Sequence, residues 1–312
     1  MHLPRALVTD IRATKYDLAV VGHIVFDHIS RGTHSFEPQL GSPCVYAGLA
    51  ARALGASVVL GGKVGSDFSL SWLNRLKRRG LNVDYVQHSK AYTTAFRINY
   101  QDDSRTMWAL SRCPSLTRRE LARLPLSSAL HMGPILQEIP CSLALSLAER
   151  NGIVALDPQG YMRHISRGGK IRRLKWTDQR LLKRLDVLKL SKQEAVNLIG
   201  GNYTSARKLT NLGPEVVLIT RGALGTIVWS KSLGTFNVPA FKTKVRDPTG
   251  AGDALLGALL VTWVKDGDLL WSAAVGSAVA SFVVENVGPA DFGTPREIRK
   301  RASIVSQNTV RK

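Results

Sequence analysis

The stretch Val245-Arg246-Asp247-Pro248-Thr249-Gly250-Ala251-Gly252-Asp253-Ala254 carries the reading of this chain. It joins a strand-like approach to an apolar, small-residue-rich segment of helical length, residues 250–265. Gly250, Ala251 and Gly252 keep the turn clear of bulky side chains, so a phosphate can reach backbone N–H groups there. The helix that follows sets its positive N-terminal end at the same point. Movement of a phosphoryl group develops negative charge, which fixed donors of this kind stabilise. Asp253 falls at the helix start, where a carboxylate can take the proton of a hydroxyl attacking that phosphate. A plainer reading stands beside this one: Asp247 as a turn former and Asp253 as a first-turn acid favoured by the helix dipole.

Outward from the turn, short apolar runs alternate with helix-length segments. Residues 17–22, 57–61, 128–132, 153–156, 187–190 and 215–220 read as buried strands, and 45–54, 70–79, 141–151 and 193–199 as helices between them. Such alternation predicts an α/β fold with a mostly parallel sheet and helices on both faces. One region departs from it. Residues 93–100 and 106–110 flank a polar turn and read as a β-hairpin, a flap beside the main sheet. Residues 250–265 and 269–285 are helical. No repeat or linker interrupts the chain, so residues 16–312 are expected to form a single domain with a β-lid around 93–112. Residues 1–15 mix Arg, Asp and Lys without an apolar core and are expected to form an N-terminal extension.

The string Asp247-Pro248-Thr249-Gly250-Ala251-Gly252-Asp253 resembles, unbroken, the Asp-x-Thr-Gly-Ala-Gly-Asp signature of the ribokinase-like (PfkB) carbohydrate kinase family. A Walker A loop is absent from the chain. The resemblance implies a ribokinase-like three-layer sandwich with a small β-lid, and ATP-dependent transfer of the γ-phosphate to a hydroxymethyl group of a sugar or polyol. Asp253 would be the general base, and the backbone of Gly250, Ala251 and Gly252 the anion hole.

Further motifs follow in the family's order. Residues 20–27 resemble its first strand, whose terminal Asp, here Asp27, holds substrate hydroxyls. Gly41-Ser42 stands where the family has a Gly-Gly pair facing substrate. Departures occur at Ser42, at Tyr46, where Asn is frequent, and at Leu70, in place of Gly. They bear on the acceptor rather than the fold. Glu138 aligns with a substrate-facing Glu, or is a helix-start carboxylate. Asp157 and Arg163 match an Asp-Pro-x-x-x-x-Arg turn at the cleft, Arg163 meeting a phosphate or Asp157 itself. Ser191-Lys192-Gln193-Glu194 matches Asn-x-x-Glu, with Ser191 a competent helix cap. There Glu194 would help hold magnesium through water. Thr220, Gly222 and Gly225 resemble the stretch flanking the nucleotide, and Asp247 and Thr249 join that side. Gly288 stands where the adenine pocket and a monovalent-cation loop close. The family also handles nucleosides, which Tyr100 and Trp108 could stack on, and its members commonly pair through their lids, which implies a homodimer.

Composition bounds the alternatives. Lys and Arg number 43 against 23 Asp and Glu, a formal charge of +20, which attracts polyanions. Residues 163–184 hold nine of these cations and read as a solvated basic face. A nucleic-acid-binding protein on a kinase-like fold is the reading from another class. No zinc finger, recognition helix or aromatic-interleaved RNA motif accompanies the charge, so a small-molecule acceptor is expected rather than nucleic acid. Cys44, Cys113 and Cys141 lack disulfide or metal spacing and point to a reducing cytoplasm. No run approaches the ~20 apolar residues of a membrane span.

Overall fold

Tyr16–His23 (β1) is apolar along almost its whole length, as a strand covered on both faces must be. The computed structural model describes residues 15–312 apart from 33, 37, 102 and 103, so the expected extension at 1–15 lies, but for Lys15, outside the described residues. After β1 come β2 (Val25–Arg31), β3 (His34–Ser35), β4 (Gln39–Gly41), β5 (Val58–Val64), β6 (Leu81–His88), β7 (Ala95–Gln101), β8 (Ser104–Ser111) and β9 (Ser127–Met132). The second half adds β10 (Ile153–Leu156), β11 (Arg163–Ile165), β12 (Ile171–Arg173), β13 (Val187–Ser191), β14 (Val216–Thr220), β15 (Thr226–Ser230), β16 (Gly234–Val238) and β17 (Val310–Arg311). The helices are α1 (Pro43–Ala53), α2 (Leu70–Arg78), α3 (Cys141–Ala148), α4 (Gln179–Leu182), α5 (Lys192–Ile199), α6 (Ala206–Thr210), α7 (Ala251–Asp266), α8 (Leu269–Val284) and α9 (Pro295–Gln307).

Ten strands form the main sheet in the order β17-β16-β15-β14-β13-β10-β9-β1-β5-β6. From β14 to β6 every pairing is parallel, as expected. The β15–β17 edge is antiparallel, an addition to that expectation. Only a short turn separates β15 from β16, too little chain for the crossover that parallel pairing needs. Alternate side chains of β1 enter opposite cores. Leu18 and Val20 pack with Leu49, Leu256 and Val279 of α1, α7 and α8, whereas Ala19 and Val21 pack with Leu143, Leu182 and Ala195 of α3, α4 and α5. The result is the expected three-layer sandwich. Glycines let the first helical layer close up: a Cβ on Gly257 of α7 would collide with Ala47 of α1.

The lid is larger than a hairpin. β7 and β8 lie within the expected span, but they belong to a five-stranded sheet, β3-β2-β7-β8 with β4 on β2. Here the structure corrects the sequence reading, which ran one strand to Asp27. The chain leaves the main sheet at Ile24, and β2 pairs parallel to β7 with Asp27 opposite Phe96. Asp67 fixes the lid's base by accepting the Thr93 N–H and hydroxyl, each at 2.7 Å. The β11–β12 hairpin docks on the outer lid strand, where the Ala109 N–H donates to Gly169 O at 2.9 Å.

Candidate active site

Parallel strands deliver their C-terminal ends to one edge of a sheet, and ligands of open α/β folds bind in the crevice there. In this chain that crevice, roofed by the lid, is a cavity of ≈ 700 Å³. The Asp247–Asp253 turn forms part of its wall. Oδ1 of Asp247 accepts the Thr249 N–H at 3.1 Å and the Thr249 hydroxyl at 2.8 Å, which fixes the turn. Gly250 caps α7 with φ +78°, and the Tyr46 ring lies where its Cβ would be, so only glycine fits. The departure at Tyr46 thus supplies the floor of the turn. Leu70, the third departure, is an exposed residue at the start of α2.

Asp253 faces the cavity from the first turn of α7. Burial pushes its carboxyl pKa up to about 7, with Lys189 pulling against that shift and Asp157 adding to it. A carboxylate poised near neutrality suits a general base.

At the lid end, Asp27, Ser42, Phe96 and Met107 line the cavity with Ile135 and Met162. The Ser42 hydroxyl is buried without a hydrogen-bond partner, on a backbone with φ +99°. A Cβ on Gly41 would strike the Asp27 carboxylate. Burial raises the Asp27 pKa to about 6, opposed by Arg105 and Arg163.

Three expected placements are corrected. Glu138 is 1% exposed and does not line the cavity. Its two oxygens accept the N–H groups of His23 (3.1 Å), Ile135 (2.9 Å) and Leu136 (2.7 Å), tying the end of β1 to the loop after β9. Asp157 is likewise buried off the cavity, and it pairs with Lys189 at 2.5 Å rather than with Arg163. Arg163 instead donates to Ile135 O at 3.1 Å and to Gln159 Oε1 at 2.5 Å while facing the cavity. The basic segment is not wholly a solvated face: Arg163, Lys170 and Arg173 all line the cavity.

At the opposite end lie Lys192, Glu194, Thr220, Arg221 and Gly222, with Thr249 of the turn also on the lining. Ser191 and Glu194 form a reciprocal cap of α5, the Ser191 N–H donating to Glu194 Oε2 at 2.7 Å. One carboxylate facing a phosphate site is what magnesium requires, since it takes most of its ligands from phosphates and water. Glu194 fits that part, and no cluster of three metal-ligating side chains occurs among the described residues. Gly225 and Gly288 stand apart from the cavity lining. Both have positive φ and pack closely, Gly225 on Val238 and Gly288 on Gln39. Lys189, unassigned from sequence, lines the cavity beside Gly252. Its one signal was a charge inside the apolar run 187–190.

Comparison with known proteins agrees with this geometry. Residues 166–296 match the pfkB family carbohydrate kinase model. A cytidine kinase of Thermococcus kodakarensis is 25% identical over 281 residues, spanning 87% of this chain and 97% of that protein. A nucleoside kinase of Methanothermobacter thermautotrophicus is 24% identical over 289 residues, 87% and 90% of the two chains. Among solved structures, a sulfate complex of a pyrophosphate-dependent kinase in the ribokinase family superposes with a TM-score of 0.80 at 24% identity, over 91% of this chain and 99% of that one. With the signature turn intact on a ribokinase fold, the chain carries a pfkB-family match over residues 166–296, is similar to kinases along most of its length, and is a phosphotransferase with an alcohol group as acceptor.

Proposed function

We propose that the enzyme transfers the γ-phosphate of ATP to a hydroxymethyl group of a sugar or polyol. The observation that carries this is Asp253 on the cavity wall, beside the bare Gly250–Gly252 turn and within the same cavity as Asp27 and Ser42. In this reading Asp27, the Gly41 backbone and the unpartnered Ser42 hydroxyl hold acceptor hydroxyls, and Asp253 takes the proton of the attacking one. The backbone N–H groups of Gly250, Ala251 and Gly252 steady the transferring phosphate. Glu194 would hold Mg²⁺ through water, and the bound ion would neutralise phosphate charge. The lid excludes water, so that the donor is not simply hydrolysed. A cytoplasmic setting is part of this reading, supported by an ATP donor and by three free cysteines. Pairing of two copies through the lid stays a proposal, tested by light scattering.

A nucleoside acceptor is the second reading. It is favoured by the apolar wall of Phe96, Met107, Ile135 and Met162, against which a flat base would pack, and by the cytidine kinase relative. Phosphate release from donor to acceptor, followed across sugars, polyols and nucleosides with magnesium, separates the two. The panel is run with ATP and with pyrophosphate, because Lys192 and Arg221 give the donor end a basic lining and a pyrophosphate-dependent kinase shares the fold. Turnover of a sugar or polyol with ATP is the expected result. Turnover of nucleosides alone, or with pyrophosphate alone, replaces the acceptor or the donor respectively.

A further inference from the structure

Lys189 is a cation in a place where cations are scarce. It lies in the middle of β13, in the main sheet between β10 and β14, with only 9% of its side chain exposed. An ammonium group so buried loses most of its hydration, and a hydrophobic residue at this point of the strand would pack at no such cost. Its Nζ donates to Oδ2 of Asp157 at 2.5 Å, and Asp157 is itself fully buried. That bond uses one of three ammonium hydrogens. On its other side the ammonium meets the signature turn: a Cβ on Gly252 would lie 2.8 Å from Lys189 Nζ and 3.0 Å from Cε. Gly252 is therefore bare for two reasons, phosphate access and room for this lysine.

Burial alone would lower the pKa of Lys189, but the carboxylates of Asp157, Asp253 and Glu194 more than reverse this and hold it protonated. The cation also works back on the base, keeping Asp253 more acidic than burial alone would make it. Below it in the core, His131 is neutral: burial first, and then Lys189, lower its pKa to about 3. A fixed positive charge thus stands at the cavity wall beside Gly252 and acts on Asp253.

We propose that Lys189 is a catalytic residue whose ammonium contacts the transferring phosphoryl group beside the Gly250–Gly252 amides, and that Asp157 is the positioning residue that aims it. Phosphoryl transfer spreads charge over three equatorial oxygens, more than the amides of one short turn can all meet. Lys189 Nζ, clamped beside Gly252 and open to the cavity, fills that gap. The proposal rests on reading the Asp253 turn as the phosphoryl site. It assigns Asp157, which the sequence suggested as a substrate ligand, a place one shell further out.

The test compares wild type with Lys189→Met, with Asp157→Asn, and with the double variant Lys189→Met/Asp157→Asn. The double variant removes both charges together and so spares the fold an unpaired buried carboxylate. For each, turnover is measured alongside the affinity for Mg²⁺–ADP, alone and with aluminium fluoride, a mimic of the moving phosphoryl group. The wild-type gain on adding fluoride separately tests the phosphoryl-site reading, since transition-state mimics bind at least ~10²-fold tighter where that chemistry occurs. In the folded double variant, turnover is expected to fall ~10²–10³-fold, the loss typical of one charge-stabilising donor. The fluoride-induced gain should fall with it, while the affinity for ADP alone stays within a few-fold of wild type. Asp157→Asn should lower turnover less, again with little change in ADP affinity. A double variant with a cooperative melt that keeps the wild-type fluoride gain overturns the proposal, as does one that loses ADP affinity and the gain in equal measure.

Discussion

Asp253 is a half-buried carboxylate on the cavity wall and Glu138 a fully buried one, and their surroundings give them opposite work. Asp253 has no amide shell, so burial lifts its pKa to about 7, where a small change of pH alters its charge. Its function requires the ionised form. Activity at subsaturating acceptor should therefore fall as pH drops through about 7, an acid limb far above the ordinary carboxylate range. Asp253→Asn should abolish that limb and lower turnover by ~10²–10⁴-fold, with donor affinity near wild type. A pH–rate profile of both proteins checks this. Glu138 accepts backbone N–H groups of His23, Ile135 and Leu136 and is committed to structure. Glu138→Gln replaces one acceptor oxygen by an NH₂ group facing those donors, and should cost about 1–3 kcal/mol of stability. Denaturant titration measures that loss; the acceptor KM of the folded fraction should not move. Sequence shows that both residues are acidic. It does not show which way a carboxylate points or how many amides surround it, and so Glu138 looked like a substrate ligand.

Between elements, the lid reaches the catalytic turn through the Tyr100 hydroxyl on β7, bonded to the Thr249 hydroxyl at 2.8 Å. Thr249 is in turn held by Asp247, so lid position and turn geometry share a chain of hydrogen bonds. Tyr100→Phe should raise the acceptor KM several-fold and increase donor hydrolysis in the absence of acceptor, since a looser roof admits water. Comparing ADP release with and without acceptor reads this out. Elements whose signals are local were legible in sequence: strands β1, β5, β9, β10, β13 and β14, helices α1, α2, α3 and α5, and the β7–β8 hairpin; β6 was not, because its half-exposed run carries polar residues at Asn82, Asp84 and Gln87. The boundary between β1 and β2 was not, because Ile24 and Val25 continue the same apolar run while the chain passes to another sheet. The β11–β12 hairpin hid in a basic segment whose charge masked its pairing. Lys189 was one cation among 43 until β13 was placed beside β10, next to Asp157.

For the molecule as a whole, the excess positive charge has a direction. Arg105, Arg163, Lys170, Arg173, Lys189, Lys192 and Arg221 line one cavity in which Asp27, Glu194 and Asp253 are the acids. A cleft of one predominant sign draws oppositely charged ligands and loses its pull once salt screens beyond ~8–10 Å. The donor kcat/KM should therefore fall markedly between 20 and 300 mM salt, on the order of tenfold, while kcat changes little; steady-state kinetics at fixed magnesium measures it. The joint between lid and main sheet has its own consequence. One residue, Ile24, separates β1 from β2, and His23 just before it is pinned by Glu138, Thr94 and Pro114. Asp27 stands on the lid side of that joint, Asp253 on the main-sheet side. In the proposed reading, swinging the roof away would pull the acceptor's carboxylate anchor from the base in the same stroke, so that uncovering the product and loosening its grip would become a single mechanical event.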